Sequence, residues 1–302
     1  MRGTFRSLAF ATAGVIALAT AGAASAATNL VQDPDFSNNN AGASYGGQIN
    51  YNPGSATYAV VDWTVGGSAS SNSYDFVFNP APGTTSLTSA DNNGALGADQ
   101  SPSTKPLTLW GPGTSSNNGL TEAPTDGGVF SGAFVAVDPA FQNSNNEIYQ
   151  TVSGLTMGQT YSLTFEYAAA EQTIGSGASA AGATSAGWTV CFGGTGQSCS
   201  GGVEDSTGLL SNPAKGFTGW DLSPTYTFTA NSTSEVLGFI ADGGSNTAGV
   251  AGSALPPFAL LADVSLTANG VPEPATWAMM LLGIGGLGGA LRMRRKQLFA
   301  AA

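Results

Sequence analysis

The side chains that could do chemistry in this 302-residue chain are nineteen carboxylates, two cysteines and five tryptophans, with no histidine among them. Without imidazole there is no Ser-His-Asp or Cys-His triad and no histidine metal centre. No phosphate loop or dinucleotide fingerprint is present, because the glycines near 193–202 are followed by turn-forming residues rather than by a helix. The enzymatic option left is a pair of carboxylates, as in glycoside hydrolysis. Glu166, Glu171, Glu204, Asp205 and Asp221 are available, but no spacing singles out two of them, and solvated surface charge accounts for them better. The chain is therefore expected not to be an enzyme and to need no cofactor.

Binding chemistry is better served. Sugar rings stack on exposed aromatic faces while nearby polar groups hold their hydroxyls. Trp110, in Leu-Trp-Gly-Pro-Gly, and Trp220, in Thr-Gly-Trp-Asp, lie in loop-like contexts, and Asp221 adjoins the second as a hydroxyl partner. Simple packing competes with stacking at both. Trp63 and Trp188 fall within strand-like runs and are expected in the core.

The elements that must position these residues read as short strands. Candidates are Ala59 to Val65, Ser73 to Phe78, Val129 to Val137, Ile148 to Leu155, Thr160 to Tyr167, Gly187 to Phe192, Thr225 to Ala230, Glu235 to Ala241 and Phe258 to Thr267. Tyr161, Leu163, Phe165 and Tyr167 alternate with Ser162, Thr164 and Glu166, which predicts one buried and one wet face. In the last run Leu260, Ala262, Val264 and Leu266 are expected to share a face, with Asp263 pointing away. Residues 79–126 form a long loop insertion whose one short apolar run is Leu107 to Trp110. With no credible soluble helix, the pattern predicts an all-β fold, an antiparallel jelly-roll-type sandwich over residues 27–270.

Both ends carry other signals. Arg2 and Arg6 precede an apolar segment from Leu8 to Ala19 and then Ala24-Ser25-Ala26, which reads as a secretory signal peptide over residues 1–26. At the other end, Pro272-Glu273-Pro274 and Trp277 open seventeen uncharged residues, 275–291, before Arg292, Arg294, Arg295 and Lys296. As a helix those residues span ~25 Å, the short end for crossing a bilayer. Tryptophan at one margin and cations at the other predict a transmembrane helix with the preceding domain outside the cytoplasm. Cys191 and Cys199, eight apart, are then expected to close a small disulfide loop, since two thiols without histidine make a poor zinc site. Between the two signals only Lys105 and Lys215 stand against eighteen acids, a net charge of −16. That surface repels nucleic acid, and anionic polysaccharide too unless divalent cations bridge.

Pro-Glu-Pro, then Trp-Ala-Met-Met, an apolar span and arginines resemble the PEP-CTERM sorting signal over residues 271–297. The resemblance implies export, a transient anchor in the inner membrane, an exosortase-type processing enzyme as partner, and a final place at the cell surface or in the extracellular matrix. Asn29-Leu30-Val31-Gln32-Asp33-Pro34-Asp35-Phe36-Ser37 resembles the start of galactose-binding-like jelly rolls, with Asp33-Pro34 where Asn-Gly is usual. "Gln-Thr-Val-x-Gly-Leu", "Tyr-x-Leu-x-Phe" and a closing "Leu-x-Asp-Val-Ser-Leu" are similar to carbohydrate-binding-module-like sandwiches, which implies association with exopolysaccharide. In similar jelly rolls a structural calcium staples the termini, and here Asp35 and Asp263 would hold it. The EF-hand pattern itself fails, with Asn38 at position six and Ser44 at position twelve. A non-binding structural matrix protein and a carbohydrate-active hydrolase are the competing readings.

Overall fold

The computed structural model describes residues 27–40, 46–49, 59–66, 75–79, 86–87, 108–109, 121–122, 125–126, 129–130, 133–139, 146–173, 183–194, 199–213, 216–245, 257–269, 280–289 and 292. Within them the strands are β1 (Gly46–Gln48), β2 (Thr64–Val65), β3 (Asp75–Phe78), β4 (Ser86–Leu87), β5 (Thr108–Leu109), β6 (Thr121–Glu122), β7 (Thr125–Asp126), β8 (Val129–Phe130) and β9 (Phe134–Val137). They continue with β10 (Glu147–Ser153), β11 (Thr160–Thr173), β12 (Thr184–Phe192), β13 (Val203–Asn212), β14 (Asp221–Leu222), β15 (Tyr226–Thr229), β16 (Ser234–Ser245) and β17 (Pro257–Ala268).

Two antiparallel sheets carry the fold. The first runs β1-β3-β9-β17-β11-β14, with β15 and β5 also paired to β11, and the second runs β13-β12-β16-β10-β2. Strands late in the chain alternate between them: β9, β11, β15 and β17 join the first sheet, while β10, β12 and β16 join the second. The insertion contributes a small ladder of β4 with β6, and its last strand β7 pairs with β8 just beyond it.

The predicted alternation in β11 positions its residues. Tyr161, Leu163, Phe165 and Tyr167 all point between the sheets. There they meet Trp188, Val190 and Phe192 of β12 and Leu237 and Phe239 of β16. Phe239 is the hub, with its ring centroid 5.0 Å from Phe165, 6.1 Å from Trp63 and 6.2 Å from Trp188. Each such buried side chain stabilises by ~1.5–3 kcal/mol through apolar area removed from water. The Trp188 indole N–H also donates to the Leu260 carbonyl at 2.9 Å, which joins the two sheets. Trp63 and Trp188 are both buried, as their strand contexts predict.

The outer face of the first sheet is not wet. Phe76, Phe78, Phe134, Ala136, Ala168, Ala170, Phe258, Leu260 and Ala262 form a second apolar layer there, with Leu109, Phe217 and Trp220 packed on it. This corrects the expectation for β17. Leu260 and Ala262 lie in the outer layer, whereas Val264 and Leu266 lie between the sheets. The cause is a β-bulge. The β11–β17 register shifts between Thr164 and Glu166, and Asp263 takes a left-handed φ of 48°. Placing one extra residue in a strand inverts the side-chain phase beyond it.

Predicted strands 148–155, 160–167, 187–192, 225–230, 235–241 and 258–267 coincide with β10, β11, β12, β15, β16 and β17, though β11 and β16 run longer. The run 59–65 reduces to β2 and an isolated bridge from Asn39 to Val60. β13 had no alternation to announce it, because it is a sheet-edge strand with most of its residues exposed. The N-terminal segment ties both sheets together. The Leu30 N–H donates to the Leu266 carbonyl at 2.9 Å, and Gln32 and Gln150 exchange backbone–side-chain bonds at 3.0 Å.

Residues 280–289 are helical, with Leu281, Leu282, Ile284 and Leu287 exposed. A helix of that length rises ~15 Å, about half of a bilayer core. Among the described residues no helix is long and apolar enough to cross a membrane. The predicted span 275–291 and the signal segment 1–26 extend over or lie within residues outside the described set.

Candidate functional site

Trp220 leads into β14, on the outer face of the first sheet. Its ring meets Phe134 edge-on at 5.3 Å and Phe217 at 6.5 Å. Phe134 in turn stacks on Phe78 at 4.8 Å, so the indole rests on a rigid aromatic floor. Trp220 is only partly buried. Trp110, Pro272, Glu273, Pro274, Trp277, Arg294 and Arg295 lie outside the described residues, and Arg292 is exposed.

Asp221 does not join Trp220. It pairs across the ladder with Tyr167, whose side chain points between the sheets, while Leu222 pairs with Glu166. Successive strand residues face opposite ways, so Trp220 and Asp221 serve different faces of one edge strand. The first sheet ends in β14, with β15 also paired to β11, and the second sheet ends in β13. Asp205 lies opposite Val190, an inward-facing residue, and is itself exposed. Tyr167 and Tyr226 flank Phe165, each with ring centroids 5.9 Å from it. Burial, then the charge of Asp205, then Tyr167 push the Tyr226 phenol up to about 12. Burial and the charge of Asp221 raise that of Tyr167. The structure thus brings Tyr167 and Tyr226, from β11 and β15, to either side of Phe165, with the charges of Asp221 and Asp205 acting on them. The alternation of β11 marked Tyr167 as buried, but nothing local in the sequence links the four.

The other carboxylates behave differently. Glu166 and Glu171 are buried in β11, and Glu204 and Asp205 are neighbours on β13 that face opposite ways. Asp35 accepts from the Ser37 N–H and hydroxyl, at 3.3 and 2.8 Å. Asp263 lies beside the same segment, since the Val264 N–H donates to the Pro34 carbonyl at 2.9 Å. Calcium takes six to eight oxygens. No group of three or more acids, thiols or imidazoles able to hold a metal occurs among the described residues, so these do not by themselves form a calcium cage. Cys191 and Cys199 form a disulfide with Cα atoms 5.3 Å apart, closing the turn between β12 and β13.

Comparison with known proteins matches residues 270–296 to the family described as PEP-CTERM protein-sorting motif. No curated protein matches the chain. Among solved structures, the enzymatically active domain of bacteriophage CBA120 tailspike protein 4 is 11% identical with a TM-score of 0.32, covering 80% of this chain and 21% of its own. The CBM22-2 xylan-binding domain of Paenibacillus barcinonensis is 10% identical with a TM-score of 0.28, covering 55% of this chain and 88% of its own. The N-terminal cellulose-binding domain of Cellulomonas fimi β-1,4-glucanase C is 17% identical with a TM-score of 0.24, covering 63% of this chain and 99% of its own. Pro-Glu-Pro, apolar helix and terminal arginines therefore make up a PEP-CTERM protein-sorting motif at residues 270–296, which marks the chain for export and sorting at the membrane.

Proposed function

We propose that this is an exported, non-catalytic protein whose jelly-roll-type domain, residues 27–270, associates with polysaccharide at the cell surface or in the extracellular matrix. Residues 275–291 anchor it transiently in the inner membrane until an exosortase-type enzyme acts near Pro272-Glu273-Pro274. The observation that carries the binding reading is Trp220, a partly exposed indole braced by Phe134 and Phe217. A ring held rigidly loses little entropy when a sugar stacks on it, and such contacts contribute roughly 0.5–1.5 kcal/mol each. Trp110 is a second stacking residue in this reading. A hydrolase would need two carboxylates set across a cleft, and Glu166 and Glu171 are buried within the sheet.

Calorimetric titration with the producing organism's own exopolysaccharide tests the proposal. Wild-type protein is expected to give saturating heat, and Trp220→Ala to weaken binding about tenfold. Unchanged binding in Trp220→Ala would remove the site, and no heat at all would leave a purely structural matrix protein. Heat that continues without saturating would mean turnover.

A further inference from the structure

The end of the sandwich next to the sorting motif differs in charge from the rest of the molecule. Asn269, the last described residue before the motif, is fastened there. Its N–H donates to the Thr160 carbonyl at 2.9 Å, its carbonyl accepts from the Gln159 side chain at 2.8 Å, and its side-chain oxygen accepts from the Ser162 hydroxyl. The turn before β11 is bound to the turn between β15 and β16. The Leu155 N–H donates to the Thr233 carbonyl at 3.1 Å and the Gly158 N–H to the Ala230 carbonyl at 2.7 Å. The disulfide turn adjoins them, since the Gly193 N–H donates to the Val236 carbonyl at 2.8 Å. Residues 154–159, 193–202, 230–233 and 265–271 contain no charged side chain. Glu235, which follows one of these turns, is buried and accepts from the Asn231 N–H at 2.7 Å. Acids on the neighbouring strands lie further back. Glu204 pairs with Cys191, which pairs with Gly238, ~13 Å along β16 from Ser234. Glu147 and Asp242 stand ~20 Å and ~26 Å from the same ends of β10 and β16.

We propose that this charge-free end is a membrane-facing surface, which lies against phospholipid headgroups while the chain is anchored. From Asn269 to Ala275, where the uncharged span begins, the chain reaches at most ~20 Å. The headgroup layer takes up ~5–7 Å of that. Carboxylates on this end would therefore stand close to anionic headgroups, whose repulsion acts over ~8 Å. Hydroxyls, amides and glycines meet no such barrier. Met157 forms the tip, 69% exposed in a turn where the Gln159 N–H donates to the Thr156 carbonyl at 3.0 Å and Gly158 has a φ of 80°. Its flexible thioether suits the bilayer interface. One such side chain is too little to hold the domain without the anchor, so cleavage of the motif frees it. The inference rests on the anchoring reading and adds which face of the domain meets the bilayer.

The full chain reconstituted in vesicles of phosphatidylethanolamine and phosphatidylglycerol tests the proposal, with an environment-sensitive dye on Met157→Cys or on Leu209→Cys. Leu209 is exposed and level with Asp242 through Gly187, away from the proposed surface. The dye at position 157 is expected to brighten at least about twofold over the dye at 209. Thr156→Glu with Ser232→Glu, added to the Met157→Cys chain, should remove about half of that gain or more, and less of it at high salt. Leu209→Glu with Ser211→Glu adds the same charge far from the surface and should change the gain by no more than about a fifth. Equal signals from the two dye positions, or equal effects of the two charge pairs, overturn the proposal. A signal found in native membranes and missing from pure lipid overturns it in favour of a protein partner. Flotation separates this inference from the anchoring reading. A chain that floats with the vesicles while the dye at 157 reports water sinks this inference alone, and a chain that does not float sinks both.

Discussion

Asp33 illustrates how a single carboxylate responds to its place in the fold. Its backbone has a left-handed φ of 45°, its carbonyl accepts from the Trp63 indole at 2.9 Å, and one carboxylate oxygen accepts from the Asn38 N–H at 2.9 Å. Burial first, with help from the charges of Asp35 and Asp62, raises its pKa from 3.8 to about 6. The folded state therefore holds the proton more tightly than the unfolded chain does. The penalty of the buried charge is fully present above about pH 6 and fades as pH falls toward 3.8. Asp33→Asn is expected to stabilise the fold by about 1 kcal/mol at pH 7.5, after discounting for the residue's partial exposure, and by nothing at pH 4. Urea unfolding at the two pH values checks this, and an equal effect at both would exclude a titration origin.

At the scale of elements, irregular positions decide which residues meet. The β12–β13 hairpin contains a register shift between Gly187 and Thr189, and the Trp188 N–H there donates to the Thr207 hydroxyl at 2.9 Å. A methyl group on Gly187 would sit 2.1 Å from the Gly208 carbonyl oxygen, a collision with backbone that no rotamer relieves. Gly187→Ala is therefore expected to destabilise by about 2–4 kcal/mol, read as a fall in the urea midpoint. Its unchanged stability would mean that β13 is not held against β12 as described. The bulge at Asp263 acts likewise on the first sheet, sending Leu260 and Ala262 to one face and Val264 and Leu266 to the other.

The molecule as a whole separates two tasks along its length. The strands hold the sandwich, while the sorting motif at 270–296 carries all four of the C-terminal cations. A chain ended after residue 269 keeps β17 and loses the motif. It is expected in the soluble exported fraction of a host that lacks the processing enzyme, with the full chain in the membrane fraction. Fractionation and immunoblotting check this, and co-fractionation of both chains with membranes would show that the domain itself binds there. Because only Lys105 and Lys215 offset the eighteen acids once the signals are removed, the released domain should stay soluble by self-repulsion.

Much of this was legible from residue order alone. The absence of histidine, the charge imbalance and the Pro-Glu-Pro tail are properties of composition and contiguous sequence, and folding does not alter them. The alternation of Tyr161, Leu163, Phe165 and Tyr167 likewise named a buried face correctly, because a strand's period is set by its own backbone. Where backbone geometry departs from that period, local reading failed, as at the Asp263 bulge and along the exposed edge strand β13. The second apolar layer was hidden for a related reason, since Phe76, Phe134, Ala168 and Phe258 come from four separate strands. Asp205, Asp221, Tyr167 and Tyr226 lie up to 59 positions apart and share no motif. Tyr167 and Tyr226 come to flank Phe165 because β15 pairs with β11, a fact of strand pairing that only the tertiary structure decides.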